Sequence, residues 1–263
     1  MPEISKSTYR LKLTICYQGT NYHGWQIQKE HDPPDTIQGW LEWALMRLTH
    51  QKINVIGSGR TDSGVHALAQ IAHCDLPINI RLNWQKSLNA LLPKDIQVLD
   101  VVEVDANFHA RFSAHRKTYL YHFWTEKRFL PPQRLNFVWP TGPINLEAMR
   151  KCLPFILGRH NFASFRNLGT ETQSLEREIF AATLSPVPPN PYWPEYSPEI
   201  CLQVSANGFL KQMVRNLAGM LVWIGRGCGQ PEMLPKIIAL EDRAKAPYPT
   251  APAKGLTLAS VCY

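Results

Sequence analysis

The chain has 263 residues, with 28 Lys+Arg against 21 Asp+Glu, a formal charge of +7 and 44% hydrophobic residues. That length allows one large domain or two small ones, and so much apolar material excludes an intrinsically disordered chain. No stretch approaches the roughly 18 apolar residues of a membrane helix, and a basic balance favours a polyanionic partner. Residues 1–6 carry no apolar run of the kind that opens a secretory signal. The six Cys stand apart without a C-x-x-C pair. They read as thiols of a reducing, cytoplasmic compartment, with neither a disulfide frame nor a metal site.

Residues 9–17 (YRLKLTICY) alternate polar and apolar and predict a strand. Gln18-Gly-Thr-Asn is turn chemistry. Pro33-Pro-Asp-Thr sets up a helix start, and Ile37, Leu41, Leu45 and Leu48 recur at helical spacing to about His50. Residues 54–56 predict a short strand, 57–64 a glycine-rich turn, 66–75 a strand, 83–92 a helix ended by Pro93, and 96–104 a strand. In the second half, 117–124 (KTYLYHFW) is an aromatic β-type run, followed by a helix over 145–157 and strands near 178–185 and 199–205. Between those strands, 186–198 holds six prolines and reads as a loop. Residues 209–224 predict a long, almost wholly apolar and buried helix, followed by a short helix near 231–240 and a last strand over 256–262. Each half runs strand, helix, strands, helix, strand. This predicts an α+β fold of two similar halves, 1–112 and 113–263, with mainly antiparallel sheets rather than a doubly wound parallel one.

Two glycine-rich stretches have ordinary readings. Gly57-Ser-Gly-Arg-Thr-Asp lacks the third glycine of G-x-G-x-x-G, and Asp62 in that place would repel a pyrophosphate. Gly225-Arg-Gly-Cys-Gly reads as a helix C-cap. Asp62-Ser-Gly also matches the D-[ST]-G of aspartic proteases. No second copy exists, and Arg60 would keep Asp62 ionised rather than proton-sharing, so that chemistry would need a homodimer. No H-E-x-x-H or zinc deaminase pattern occurs. The 57–67 segment does bring Gly, Arg, Thr and Asp together on one loop, where the glycines permit close ligand approach.

At these residues the sequence resembles the TruA-type tRNA pseudouridine synthases. Gly59-Arg-Thr-Asp-Ser-Gly-Val-His-Ala is similar to their G-R-T-D-x-G-V-H-A, and Tyr17-Gln-Gly-Thr-Asn-Tyr-His-Gly-Trp-Gln to Y-D-G-T-x-[FY]-x-G-[WF]-Q. Asn89-Ala-Leu-Leu-Pro-Lys-Asp-Ile resembles N-x-x-L-P-x-D-I, Phe108-His-Ala-Arg-Phe resembles F-[HD]-A-R-F, and Arg116-Lys-Thr-Tyr-Leu-Tyr resembles R-x-Y-x-Y with one extra residue. Ala206-Asn-Gly-Phe-Leu-Lys-Gln-Met-Val-Arg-Asn and Ala253-Lys-Gly-Leu-Thr-Leu resemble the family's two C-terminal motifs. Gln18 stands where Asp is usual, Ser63 replaces the common Ala, and 186–198 looks like an insertion.

The resemblance implies a pseudouridine synthase fold with a basic cleft between its halves. The implied reaction is isomerisation of uridine to pseudouridine in the tRNA anticodon stem-loop (positions 38–40), with no cofactor and no metal, by a cytoplasmic homodimer. It makes Asp62 the essential carboxylate, whether by attack on C1′, addition to C6 or removal of the C2′ proton. It makes Arg215 the partner of that carboxylate, Tyr119 the aromatic face under the target ring, and Leu256 the floor of the pocket. Arg60 fills the space a flipped base leaves. Residues 107–134 hold six Lys/Arg against one acid, a local +5. Phe108, His109, Ala110, Arg111 and Phe112 are expected to bind substrate there. Arg116, Lys117, Lys127, Arg128, Ser164, Phe165 and Arg166 are expected to touch tRNA. A catalytically silent RNA-binding protein on the same fold would need none of Asp62, Tyr119 and Arg215.

Overall fold

The computed structural model describes residues 9–28, 33–76, 82–167, 169, 174–189 and 197–263. The expectations for residues 1–6 and for most of the proline-rich segment therefore fall outside the described residues. The chain divides into two compact units. One takes the chain to His115 together with Leu258–Tyr263, and the other is Arg116–Thr257.

The first unit begins with β1 (Tyr9–Tyr17), whose alternation buries Leu11, Leu13, Ile15 and Tyr17 on one face. Helix α1 (Ile37–Thr49) starts at Thr36, whose hydroxyl accepts from Gly39 N at 3.2 Å, and buries Ile37, Leu41, Ala44 and Leu45. After the short β2 (Ile56–Gly57) come β3 (His66–Leu76), α2 (Trp84–Leu91) capped by Asn83, and β4 (Ile96–Glu103). The sheet order is β4-β1-β3, with β1 antiparallel to both neighbours, β2 paired to β3, and the last strand, β10 (Leu256–Cys262), beside β3. The short strand predicted at 54–56 lies at 56–57 instead, because cross-strand pairing to His73 and Ala72 sets it.

The second unit is built on β5 (Arg116–Trp124), β6 (Trp139–Pro140), α3 (Leu146–Ile156), β7 (Gly158–Asn161), β8 (Glu176–Pro186) and β9 (Glu199–Ala206). Its strand order is β5-β9-β8-β7, all antiparallel, with β6 as a short parallel addition to β5. Helix α4 (Met213–Gly225) is buried almost all round, as its composition predicts. It begins at Met213 rather than at Phe209. Gln212 sits in the left-handed region at φ 62°, and Met213 N donates to Leu210 O, so the chain turns before it can coil. The helix expected over 231–240 is also shorter: a turn at Pro231–Met233 precedes α5 (Leu234–Ala239). Pro235 has no N–H to continue a helix from Pro231. Helices packed with mainly antiparallel strands make an α+β fold, as expected. Among the described residues no helix is long and apolar enough to cross a membrane, and the six cysteines are free thiols.

Candidate active site

Asp62 lies on the loop between β2 and β3, and its neighbours on both sides are tied down. Ser58 Oγ donates to Gln70 Oε1 at 2.6 Å, and Gln70 Nε2 donates to Gly59 O at 3.0 Å. The hydroxyls of Thr61 and Tyr17 meet at 2.8 Å in the core. Burial pushes the Tyr17 phenol up to about 12, so it remains a neutral partner there. Trp25 N donates to Thr61 O at 3.1 Å, Ser63 Oγ to Tyr22 O at 3.1 Å, and Val65 N to Asp62 O at 3.1 Å. Tyr22 in turn donates its hydroxyl to Asp95, whose carbonyl accepts from Gln18 N at 2.9 Å.

The three N-terminal motifs are therefore one structure. The 89–96 segment holds the 17–26 loop, and that loop holds the Asp62 loop. Gly24 shows how close the packing is: it has φ +92°, and a Cβ there would lie 2.6 Å from Thr61 O. Gln18, where Asp is usual, donates its backbone N–H to Asp95 O and its side-chain amide to Thr20 Oγ1 at 3.3 Å. Ser63 in place of Ala adds a hydrogen bond. The outcome is a half-buried carboxylate on a fixed backbone, with Arg60 exposed two residues before it.

In the second unit, β5 carries Tyr119, which is 8% exposed and packs edge-on against Phe209 with ring centroids 5.1 Å apart. Tyr121, two residues on, is core, as its spacing suggests, and donates its hydroxyl to Pro252 O at 2.8 Å. Arg215 is half-buried on α4, and its Nε donates to Ala251 O at 2.8 Å. The 251–256 segment thus runs against both α4 and β5. A Cβ on Gly255 would stand 2.7 Å from the Tyr121 ring, which explains the glycine before Leu256. Leu256 is buried at the start of β10. Tyr119, Arg215 and Leu256 thus belong to one unit, and Arg60 and Asp62 to one loop of the other.

The basic stretch is less uniform than its sequence. Arg111 and Phe112 project from the first unit: Phe112 is 76% exposed, with the Arg111 guanidinium 5.5 Å over its ring, whereas Ala110 is fully buried. Arg116 lies 5.1 Å over the Phe180 ring, and Lys117 is half-buried on β5. Lys127 and Arg128 line an open groove of about 520 Å³ with Glu126, to which Arg128 is paired at 2.8 Å. Arg134 is committed to the buried Glu199, its Nε 2.9 Å from Oε2, so it adds no open charge to the track.

Ser164 and Phe165 are corrected outright as surface contacts, since both are fully buried. Ser164 O accepts from Tyr248 at 2.6 Å, and Phe165 stacks on the Tyr248 ring. Arg166 beside them is half-buried. Sequence reasoning missed Tyr17, Tyr22 and Asp95 as supports of the Asp62 loop. The only available signal was that their motifs occur together.

A sequence model described as tRNA pseudouridine synthase matches residues 14–113 and 156–263 of the chain. Relatives called tRNA pseudouridine synthase A agree along nearly its whole length. That of Maridesulfovibrio salexigens is 46% identical over 255 residues, covering 97% of this chain and 90% of the relative. That of Lawsonia intracellularis is 46% identical over 257 residues, covering 97% and 99%. That of Nitratidesulfovibrio vulgaris (strain Miyazaki F) is 43% identical over 276 residues, covering 97% and 99%. The chain belongs to the tRNA pseudouridine synthase family.

Proposed function

We propose that the chain isomerises uridine to pseudouridine in the anticodon stem-loop of tRNA, at positions 38–40, in the cytoplasm and as a homodimer. The observation that carries this reading is the Asp62 loop, in a chain of this family: a carboxylate presented by a backbone whose neighbours on both sides are held by hydrogen bonds, those before it buried. The reaction breaks N1–C1′, turns the ring, joins C5 to C1′ and moves the C5 proton. No atom is gained or lost, so no co-substrate or cofactor is required. Asp62 serves as nucleophile or base. Tyr119 offers the target ring a flat face, on which a detached base can turn without being fixed by hydrogen bonds. Arg215 is the cationic partner that keeps the Asp62 carboxylate ionised, and Leu256 floors the pocket. A base in a stem cannot react while stacked, and Arg60 occupies the space it vacates. Arg111, Arg116, Lys117, Lys127, Arg128 and Arg166 follow the phosphates.

The test is pseudouridine mapping of a tRNA transcript incubated with the pure protein and no added cofactor, alongside Asp62→Asn. The amide keeps the shape but is neither nucleophile nor base. Turnover is expected to vanish while tRNA affinity stays near that of the wild type. Activity within about tenfold of wild type would sink the role of Asp62 and favour a silent RNA-binding protein.

A further inference from the structure

The loop that carries Arg111 and Phe112 is held from three separated places in the first unit. Arg10 on β1 forks onto Asp75 of β3 through Nε at 2.6 Å and Nη2 at 2.7 Å. Its remaining nitrogen, Nη1, donates to the carbonyls of Ala106 and Phe108. The Arg10 fork holds the Asp75 carboxyl below its usual range, so the pair persists through the neutral region. His73, also on β3, accepts the Ala110 N–H on Nδ1 at 3.2 Å. Burial, with Arg10 and His109 alongside, holds His73 down at about 4. The ring is therefore neutral and free to accept. Tyr263 donates its hydroxyl to Ala110 O at 2.6 Å and lays its ring on Phe108, centroids 4.8 Å apart.

Within the loop, His109 Nδ1 accepts the N–H groups of Arg111 and Phe112 at 3.1 and 3.2 Å. Ala110 is thereby pinned in the core, while Phe112, two residues later, is 76% exposed, with Arg111 over its ring and the His109 ring beside it at 4.3 Å between centroids. The hydrogen-bonded backbone fixes where the Phe112 side chain leaves the loop, and the His109 ring packs beside it. The pairing of an exposed flat ring with a guanidinium suits a nucleobase with its phosphate: stacking is worth about 1–3 kcal/mol per base, and arginine matches phosphate oxygens in a fork.

We propose that Tyr263, His73 and the Arg10–Asp75 pair are positioning residues that hold Arg111 and Phe112 as a preorganised stacking-and-phosphate contact for RNA. The inference rests on the tRNA reading given above. Preorganisation lowers the ordering cost of binding, so its loss acts on affinity rather than on the chemical step.

The test is a double-mutant cycle on the affinity of the full chain for an unmodified tRNA transcript. Tyr263→Phe removes only the hydroxyl and keeps the ring on Phe108. It is expected to weaken binding about three- to tenfold, the effect of one hydrogen bond, with the single-turnover rate at saturating enzyme within about twofold. In a Phe112→Ala background, where the stacking ring is gone and only the Arg111 contact is left to position, the same change is expected to have a clearly smaller effect. Arg10→Lys keeps the charge but loses the fork, and carries the same expectation as a second variant. Equal weakening in both backgrounds, or full affinity in both Tyr263→Phe and Arg10→Lys, would overturn the proposal. Pseudouridine is followed in the same samples. Its absence with the wild type would overturn the proposed activity, while the binding cycle still decides the role of the clamp.

Discussion

Replacing Gly24 by alanine would place a methyl 2.6 Å from the Thr61 carbonyl, on a backbone at φ +92° that a side chain tolerates poorly. Such strain costs about 1–3 kcal/mol, and the carbonyl it displaces belongs to the residue before Asp62. The expected outcome for Gly24→Ala is a thermal midpoint lower by about 2–4 °C per kcal/mol. The single-turnover rate should fall by about a hundredfold, the order of loss that a misplacement of about 1 Å produces. A variant with the wild-type rate would show that the carboxylate needs no such support. Arg60 invites a different measurement, because it is exposed and its proposed work is to hold a vacated space. Unpairing and unstacking cost a few kcal/mol in a duplex and less in an open strand. Arg60→Ala should therefore slow single turnover strongly on a uridine paired in the stem, and weakly on one whose opposing base has been changed to leave it unpaired. Equal losses on the two substrates, at saturating enzyme, would remove the flipping role and leave an effect on Asp62 as the explanation.

On the strands β5 and β9, His122 faces Cys201, with its Nε2 3.8 Å from the sulfur and its Nδ1 2.7 Å from Glu199. Burial opposes the charge on His122, but Cys201 and Glu199 outweigh it and hold the ring up at about 9. The folded state then binds a proton that the unfolded chain releases near pH 6.5. This contribution to stability is complete below about pH 6.5 and disappears as pH rises through about 9. Thermal midpoints between pH 6 and 10 are expected to fall in the wild type and to change less in His122→Gln. Parallel curves would mean the pair is not linked to folding. Elements of this kind also mark where sequence reading stops. α1, α2 and α3 were legible because Thr36, Asn83 and Asn145 stand before apolar positions at helical spacing and accept backbone N–H groups where expected. The start of α4 was not, because the apolar run extends back to Phe209 while the chain reverses at Gln212. The short β6 and β7 exist through pairing with distant strands, which leaves no local period to read. Asp62, Tyr119 and Arg215 stand out in the sequence as motif residues. The hydrogen bond from Tyr22 to Asp95, 73 residues away, does not, and neither does the burial of Ser164 and Phe165 within a basic-looking segment.

For the whole molecule, the charge of +7 matters less than which cations remain open to phosphate. Arg134 illustrates the distinction: its guanidinium is held by Glu199, which is 5% exposed, and it lies 5.7 Å from the Phe137 ring. Arg111 stands on the exposed Phe112 instead. Each phosphate contact removed should reduce the slope of log K against log salt by about 0.7 on single-stranded and 0.9 on duplex segments. Arg111→Ala is therefore expected to weaken tRNA binding and flatten that slope by nearly one. Arg134→Gln should leave the slope as it is, and should instead lower stability by about 1 kcal/mol, because the buried Glu199 loses one of its two cationic partners and keeps His122. The measurement is tRNA affinity between about 50 and 200 mM salt for both variants, a range over which phosphate-dominated binding changes by orders of magnitude, together with thermal melts. An unchanged slope for Arg111→Ala would make that residue ordinary surface charge. A slope lowered by Arg134→Gln would mean that the Glu199 pair opens when RNA binds, and that the track extends across β9.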